Sequence, residues 1–471
     1  MALCLALRFQ SRVRASAWGD LVLRSGTVLG ARVLGAGLGF AFNVALARVL
    51  GAEGLGIYHL SLTFTLIASV VGRMGMDAAL LKFGATSHAE GDWLRLAAVH
   101  RLGMGTALLC CGLVAATTFL AADWIAATVY ADAGIADPLR LMSLALVPFS
   151  LLSLYGELLK AGQHQAASSF IQGAALPIVN LLLLFVFADR ITGASAASGL
   201  YLAGTVLVCV MGCAIWIRSV SRPHPATATA ATAAATAAAT ATATKPFTLR
   251  ELLATALPMY GSAIADVVMT FAEVLILGLF VSSGEVGIYT AAARTALLTR
   301  FVLLATSSVA APRFAALHAA KDSDGIARLA RRSTLLTTVT TLPLLLVFIV
   351  APQPILSLFG PQFEAGASVL IVLALGQFVN AATGPVGYLL NMSGFHRIEG
   401  RIAVAGAVIT VALCFALIPV WGVLGAAAAN AIATAVCNLM RVYVAKSRLG
   451  ILMLPIPWTP APAHRPPPGS P

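Results

Sequence analysis

Charge is what this chain has least of. Only 10% of its 471 residues are Asp, Glu, Lys or Arg, where soluble domains carry roughly 25%. A surface facing water cannot be built from so few charges, so a soluble globular domain is excluded. Aromatic residues are also sparse, at 7%, and no basic stripe with interleaved aromatics exists for nucleic acid to follow. Acidic residues are the scarcer sign, 18 against 30 Lys and Arg. The seven cysteines sit mostly in apolar runs and form no CxxC or metal-type spacing. No G-x-x-x-x-G-K-[ST], HExxH or Ser/His/Asp constellation appears, so no cofactor is expected, and neither nucleotide hydrolysis nor enzymatic catalysis has residues to run on.

What the chain has is apolar length. A helix needs about 20 apolar residues to cross a bilayer. Such runs fall at 25–48, 54–76, 95–120, 138–160, 166–188 and 196–217, then at 251–281, 286–311, 332–351, 366–391, 401–420 and 423–445. The two sets of six share a register. Gly56-Ile57-Tyr58 returns as Gly287-Ile288-Tyr289, and Lys82-Phe83 as Arg313-Phe314, each 231 residues on. The predicted fold is therefore an all-α polytopic membrane protein. About twelve transmembrane helices form two six-helix lobes related by a parallel repeat, since an even number of spans returns each copy to the same side.

The basic residues set the orientation. Twenty-four of the thirty Lys and Arg fall on segments that are inner if the N-terminus is inside. Three are outer (Arg48, Arg140, Arg190) and three lie within spans (Arg32, Arg294, Arg300). The positive-inside rule then predicts cytoplasmic termini. The division of the chain follows: a cytoplasmic segment 1–24, an N-lobe 25–218, an Ala/Thr-rich linker 219–247, a C-lobe 248–448 and a Pro-rich tail 449–471. Met1–Leu7 is too short for a signal core, so the first span is expected to stay in the membrane. A short surface helix is expected in the acidic loop before Pro138.

Ionisable groups inside spans are costly and mark paths or paired sites. Asp266 and Glu273 are seven residues apart on one face of a helix, roughly 10 Å along its axis. Arg294 and Arg300 are six apart and point about 120° away from each other. Two readings stand. The four residues form ion pairs within one helical hairpin, or at least one arginine serves a phosphate-bearing substrate, which guanidinium grips bidentately. With Arg32, the buried charges sum to a weakly cationic lumen. Gly26/Gly30 and Gly35/Gly39 give span 1 a close-packing seam. The amides Asn43, Asn180, Gln377, Asn380, Asn391, Asn430 and Asn438 are either interhelical hydrogen-bonding groups or sugar contacts.

Two stretches carry a resemblance. Ala47 to Ala85 resembles the opening of bacterial polysaccharide-exporter flippases, at Ala47, Arg48, Leu50, Gly51, Gly56 and Tyr58, then at Gly75, Asp77, Leu80, Lys82 and Phe83. Leu358 to Ala381 and Leu389 to Arg397 resemble the second half of the same family. That superfamily is the multidrug/oligosaccharidyl-lipid/polysaccharide exporters. The resemblance implies two lobes, alternating access, and flipping of undecaprenyl-pyrophosphate-linked oligosaccharide across a bacterial inner membrane for surface polysaccharide. It also implies work among membrane lipids beside a polysaccharide polymerase and glycosyltransferases. Cationic lumen residues are expected to hold the pyrophosphate, and no family motif fixes them, so Arg32, Arg294 and Arg300 rest on the depth argument alone. The rival is an ion-coupled multidrug exporter in which Asp266 and Glu273 bind a cation or proton. A non-transporting scaffold fits the repeat and the buried charges poorly.

Overall fold

A computed structural model describes residues 17–220 and 247–455. Segment 1–16, linker residues 221–246 and tail residues 456–471 lie outside the described residues. Within them there is no strand. A bilayer core offers the backbone no water, so each span must satisfy its own N–H and C=O groups, and helices do so.

The helices are α1 (Ala17–Arg73), α2 (Met76–Glu90), α3 (Trp93–Trp124), α4 (Ala136–Ala161), α5 (Gln165–Val186) and α6 (Ala194–Val220). The C-lobe has α7 (Leu249–Leu277), α8 (Ser283–Ala319), α9 (Ser323–Val350), α10 (Pro361–Met392) and α11 (His396–Leu449). At 1.5 Å per residue, α1 and α11 would each be roughly 80–85 Å long, far beyond a ~30 Å core. Both fold back instead. Gly51 (φ 71°) and Gly422 (φ 53°) break them in conformations that only glycine adopts without penalty. The folding is visible in what meets across each break. Asn43 Oδ1 lies 2.9 Å from His59 Nε2, eight residues either side of Gly51. Arg441 bonds Glu399 across the break at Gly422. With α1 and α11 counted as two legs each, the described residues supply twelve membrane-crossing legs, six per lobe. Large apolar side chains on them face outward: Leu109, Phe185 and Val350 are 74%, 85% and 81% exposed. In water such a surface would aggregate, and lipid tails suit it.

The repeat persists in the fold. Asp92 caps α3 by accepting a hydrogen bond from the Arg95 amide (2.8 Å), and Asp322, 230 residues later, caps α9 from the Gly325 amide (2.7 Å). The Gly-Ile-Tyr copies do more than match: they touch. A Cβ on Gly56 would strike the Ser283 carbonyl and the Gly287 nitrogen. One on Gly287 would strike the Ala52 carbonyl and the Gly56 nitrogen. A residue that contacts its own repeat mate lies on the axis relating the copies. Around this crossing the lobes are stitched on one face. Arg48 Nε donates to the Leu358 carbonyl (2.7 Å), Ser283 Oγ donates to Asp132 (2.5 Å), and the Phe40 and Phe359 rings meet edge to face. These are the loops that the charge pattern placed outside. On the opposite face the first half of α7 leans on the N-lobe, with Tyr260 OH donating to the Val71 carbonyl and Phe247 against Phe83. α7 bends by 41° between Gly261 and Ala263, just past Pro258, whose missing N–H weakens the ladder there.

Two expectations change, and the stretch between the second and third apolar runs, for which none was stated, holds the helix α2. The expected surface helix before Pro138 is only a π-turn (Ile125–Val129) and a 3-10 turn (Ala133–Ile135), pinned by Asp132 accepting from the Gly134 amide. The run 286–311 is not one regular helix, because residues Leu297–Thr299 tighten into a 3-10 turn. That turn resets the angle between Arg294 and Arg300.

Candidate substrate cavity

The C-lobe is hollow. A cavity of about 340 Å³ opens between α7, α8, α10 and the second leg of α11. The α7 wall presents Asp266, Thr270 and Glu273, spaced i, i+4, i+7 on one face, as the sequence pattern required. α8 supplies Arg300, at the first residue after the 3-10 turn. α10 gives Gln377 and Asn380, and α11 gives Asn430, Thr434, Asn438 and Arg441.

The partners differ from those expected. Among the described residues neither Asp266 nor Glu273 has a cation within 4 Å, so the hairpin ion pairs do not form. Glu273, 6% exposed, instead accepts from Asn430 Nδ2 at 2.5 Å. Its sign is costly at this depth, on the order of 2.5–3.5 kcal/mol for a bare charge, and one amide bond offsets part of that. Asp266 is exposed to the cavity, with Arg441 and Glu399 in its electrostatic surroundings. Arg441 is held by Glu399 through Nε (2.8 Å) and Nη2 (2.7 Å). This half-buried pair was invisible in sequence, where Arg441 counted only as one of the inner basic residues. Their separation, nearly symmetric about Gly422, was the available signal.

The three arginines part company. Arg300 lines the cavity with its side chain open to it, next to Tyr388 and within reach of Glu273's field. Arg294 lies instead at the lobe seam, acting on Tyr58, His59 and Tyr201 of the N-lobe as well as on Glu273. Arg32 falls on α1, and its side chain is outside the described residues. The lining therefore carries two carboxylates without ion-pair partners, one free guanidinium, and one guanidinium already neutralised. Of the expected packing seam, Gly35 is used: it abuts the Gly173 carbonyl and Ala174, and no side chain would fit.

A family model described as polysaccharide biosynthesis protein matches residues 23–318, more than half of the chain. The chain belongs to that family. A second model, MatE, matches residues 258–416. Two Haloferax volcanii proteins are similar in sequence. One is named probable flippase AglR, 30% identical over 176 residues, a stretch covering 36% of each chain. The other is named probable low-salt glycan biosynthesis flippase Agl15, 23% identical over 92% of this chain and 85% of its own length. In fold, the chain resembles a structure titled lipid II flippase MurJ, inward closed conformation (TM-score 0.69, 15% identity, 90% and 87% of the two chains). It also resembles an inward-facing multidrug resistance MATE family transporter (0.70, 12%, 90% and 98%). The chain is thus a multi-pass membrane protein of the multidrug/oligosaccharidyl-lipid/polysaccharide exporter superfamily, on its polysaccharide flippase branch, with a flippase or exporter architecture.

Proposed function

We propose that the protein flips a lipid-linked oligosaccharide, carried on undecaprenyl pyrophosphate, across a bacterial inner membrane for surface polysaccharide assembly, with both termini cytoplasmic. The observation that carries the reading is a polar cavity with an unpaired arginine, enclosed in an apolar lobe just behind a sealed lobe crossing. An amphiphile whose polar head must pass hydrocarbon needs such a chamber, and its tail can stay in lipid.

In this reading the two lobes rock about the Gly56–Gly287 crossing, as parallel-repeat transporters rock about their axis. The head enters from the cytoplasmic side while the outer stitches hold. Arg300 grips phosphate bidentately. Arg32 and Arg294 are assigned to the same anion path, Arg294 becoming available when parting of the lobes frees it from Tyr58, His59 and Tyr201. Asp266 and Glu273 are the candidate coupling groups. Glycosyltransferases and a polymerase would work on either side of the flipping step.

The MatE match over residues 258–416 favours one rival, a multidrug exporter, because it spans both carboxylates and Arg300. Gene deletion separates the two. Accumulation of lipid-linked oligosaccharide with loss of surface glycan supports flipping. Drug hypersensitivity with normal glycan overturns it.

A further inference from the structure

We propose that the C-lobe cavity is a carbohydrate subsite, taking a neutral sugar unit of the cargo while the phosphate stays at Arg300. The inference rests on the flippase reading above and assigns the ligand chemistry of its cavity.

Four carboxamides converge there, and their hydrogen bonding is incomplete. Asn430 spends its NH₂ on Glu273, and Asn438 spends its own on Asn380 Oδ1 (3.1 Å) and the Thr434 carbonyl (3.0 Å). Among the described residues the Asn380 nitrogen and the Asn430 and Asn438 oxygens keep no protein partner. Gln377 makes no side-chain hydrogen bond, and its buried Oε1 is unsatisfied. Buried polar atoms are normally bonded, and of these Gln377 Oε1 is the buried one left unmet. A ligand offering both donors and acceptors meets them all. Sugar hydroxyls do so, donating to Asp266, Glu273 and the Asn430, Asn438 and Gln377 oxygens and accepting from the Asn380 and Gln377 NH₂ groups.

The repeat supplies an internal control. On the 231-residue offset, Gln377 and Asn380 correspond to Leu146 and Phe149. The N-lobe assembles the same helices without these amides, so the scaffold does not require them as interhelical bonds.

Competing ligands fit less well. Beyond the phosphate at Arg300, a further anion would meet two carboxylates and, among the described lining residues, no second unpaired guanidinium. A single cation needs ligands at about 2–2.6 Å, and two carboxylates two turns apart on α7, roughly 10 Å along its axis, cannot share one ion. Among the described residues no group of three or more His, Cys, Asp or Glu is placed to hold a metal. The lining contains no Phe, Tyr or Trp, so a flat aromatic drug has nothing to stack on.

The test uses the full chain in nanodiscs and two kinds of probe: undecaprenyl pyrophosphate alone, and the same carrier bearing one glucose, galactose or N-acetylglucosamine. Wild type should bind at least one glycosylated carrier about ten-fold tighter than the bare one. Gln377→Leu breaks no protein hydrogen bond, and it should lower that preference about five-fold while leaving bare-carrier binding unchanged. Asn380→Leu should act in the same direction, and unchanged bare-carrier binding reports that the variant is folded. Arg300→Ala should weaken both probes alike. Failure of every lipid to bind wild type overturns the flippase reading and the subsite together. Binding of the carriers with no sugar increment, or with an increment that survives both amide substitutions, overturns the subsite alone. So does stabilisation of wild type by sodium alone that Gln377→Leu and Asn380→Leu abolish.

Discussion

The two lobes were copied from one plan and then filled differently. On the 231-residue offset, Asp266 of the C-lobe corresponds to Gly35 of the N-lobe, Glu273 to Phe42, Arg294 to Thr63 and Arg300 to Ser69. Gly35 is pressed against the backbone of residue 173, Phe42 is buried in the main core, and Ser69 bonds the Leu66 carbonyl. Where one copy is packed solid, the other is hollow and charged. The N-lobe also pairs its charges locally: Arg73 with Asp77 (2.7 Å), and Lys160 with Glu157 (2.6 Å), which also accepts from Gln172. Among the described residues the C-lobe leaves Asp266, Glu273 and Arg300 without ion pairs, facing its cavity. The two copies thus keep one scaffold and place their charges differently.

The contrast can be broken at its shared axis first. Gly287→Val and Gly56→Val should each abolish export, because the Val side chain strikes backbone that cannot step aside. Equal losses, read as surface glycan at normal protein abundance, would show that the crossing is reciprocal. A large loss from one and not the other would place the axis elsewhere. Next, Arg300→Ala should cut export by roughly 10- to 100-fold, the worth of one charge-assisted contact, with abundance normal and Arg300→Lys rescuing poorly. Its N-lobe counterpart, Ser69→Ala, should leave export within about two-fold. Full export by Arg300→Ala would remove that residue from the path. Glu399→Ala should destabilise the purified protein by about 1.5–3 kcal/mol, since it strands Arg441. The double variant with Arg441→Ala should be less destabilised than the two single losses added together, as a thermal unfolding series would show. The smallest effect should also be the most even. Asp92→Ala and Asp322→Ala each remove one helix cap, about 1 kcal/mol apiece, and matching shifts in both lobes would mark what the copies still share.

Much of this was readable in the residues. Twelve apolar runs and their two-fold register follow from composition along the chain. So does the shared face of Asp266 and Glu273, which needs only helical periodicity. The arginine–carboxylate pairs, one of the two readings left open, are absent among the described residues for a definite reason. They assumed a straight helix through 286–311, and the 3-10 turn at Leu297–Thr299 turns Arg300 into the cavity and leaves Arg294 at the seam. Arg441 and Glu399 sit 42 residues apart, and only the fold at Gly422 makes them neighbours.

The sequence by itself determined that this chain lives in a bilayer, in two like-oriented halves, because transfer from water to lipid and the helical period are properties of short stretches. Tertiary structure alone decided that Gly56 meets Gly287, that one half is hollow, and which polar groups are left wanting a partner. Those outcomes depend on how the faces of helices far apart in the chain rotate against one another, and no local pattern encodes that rotation.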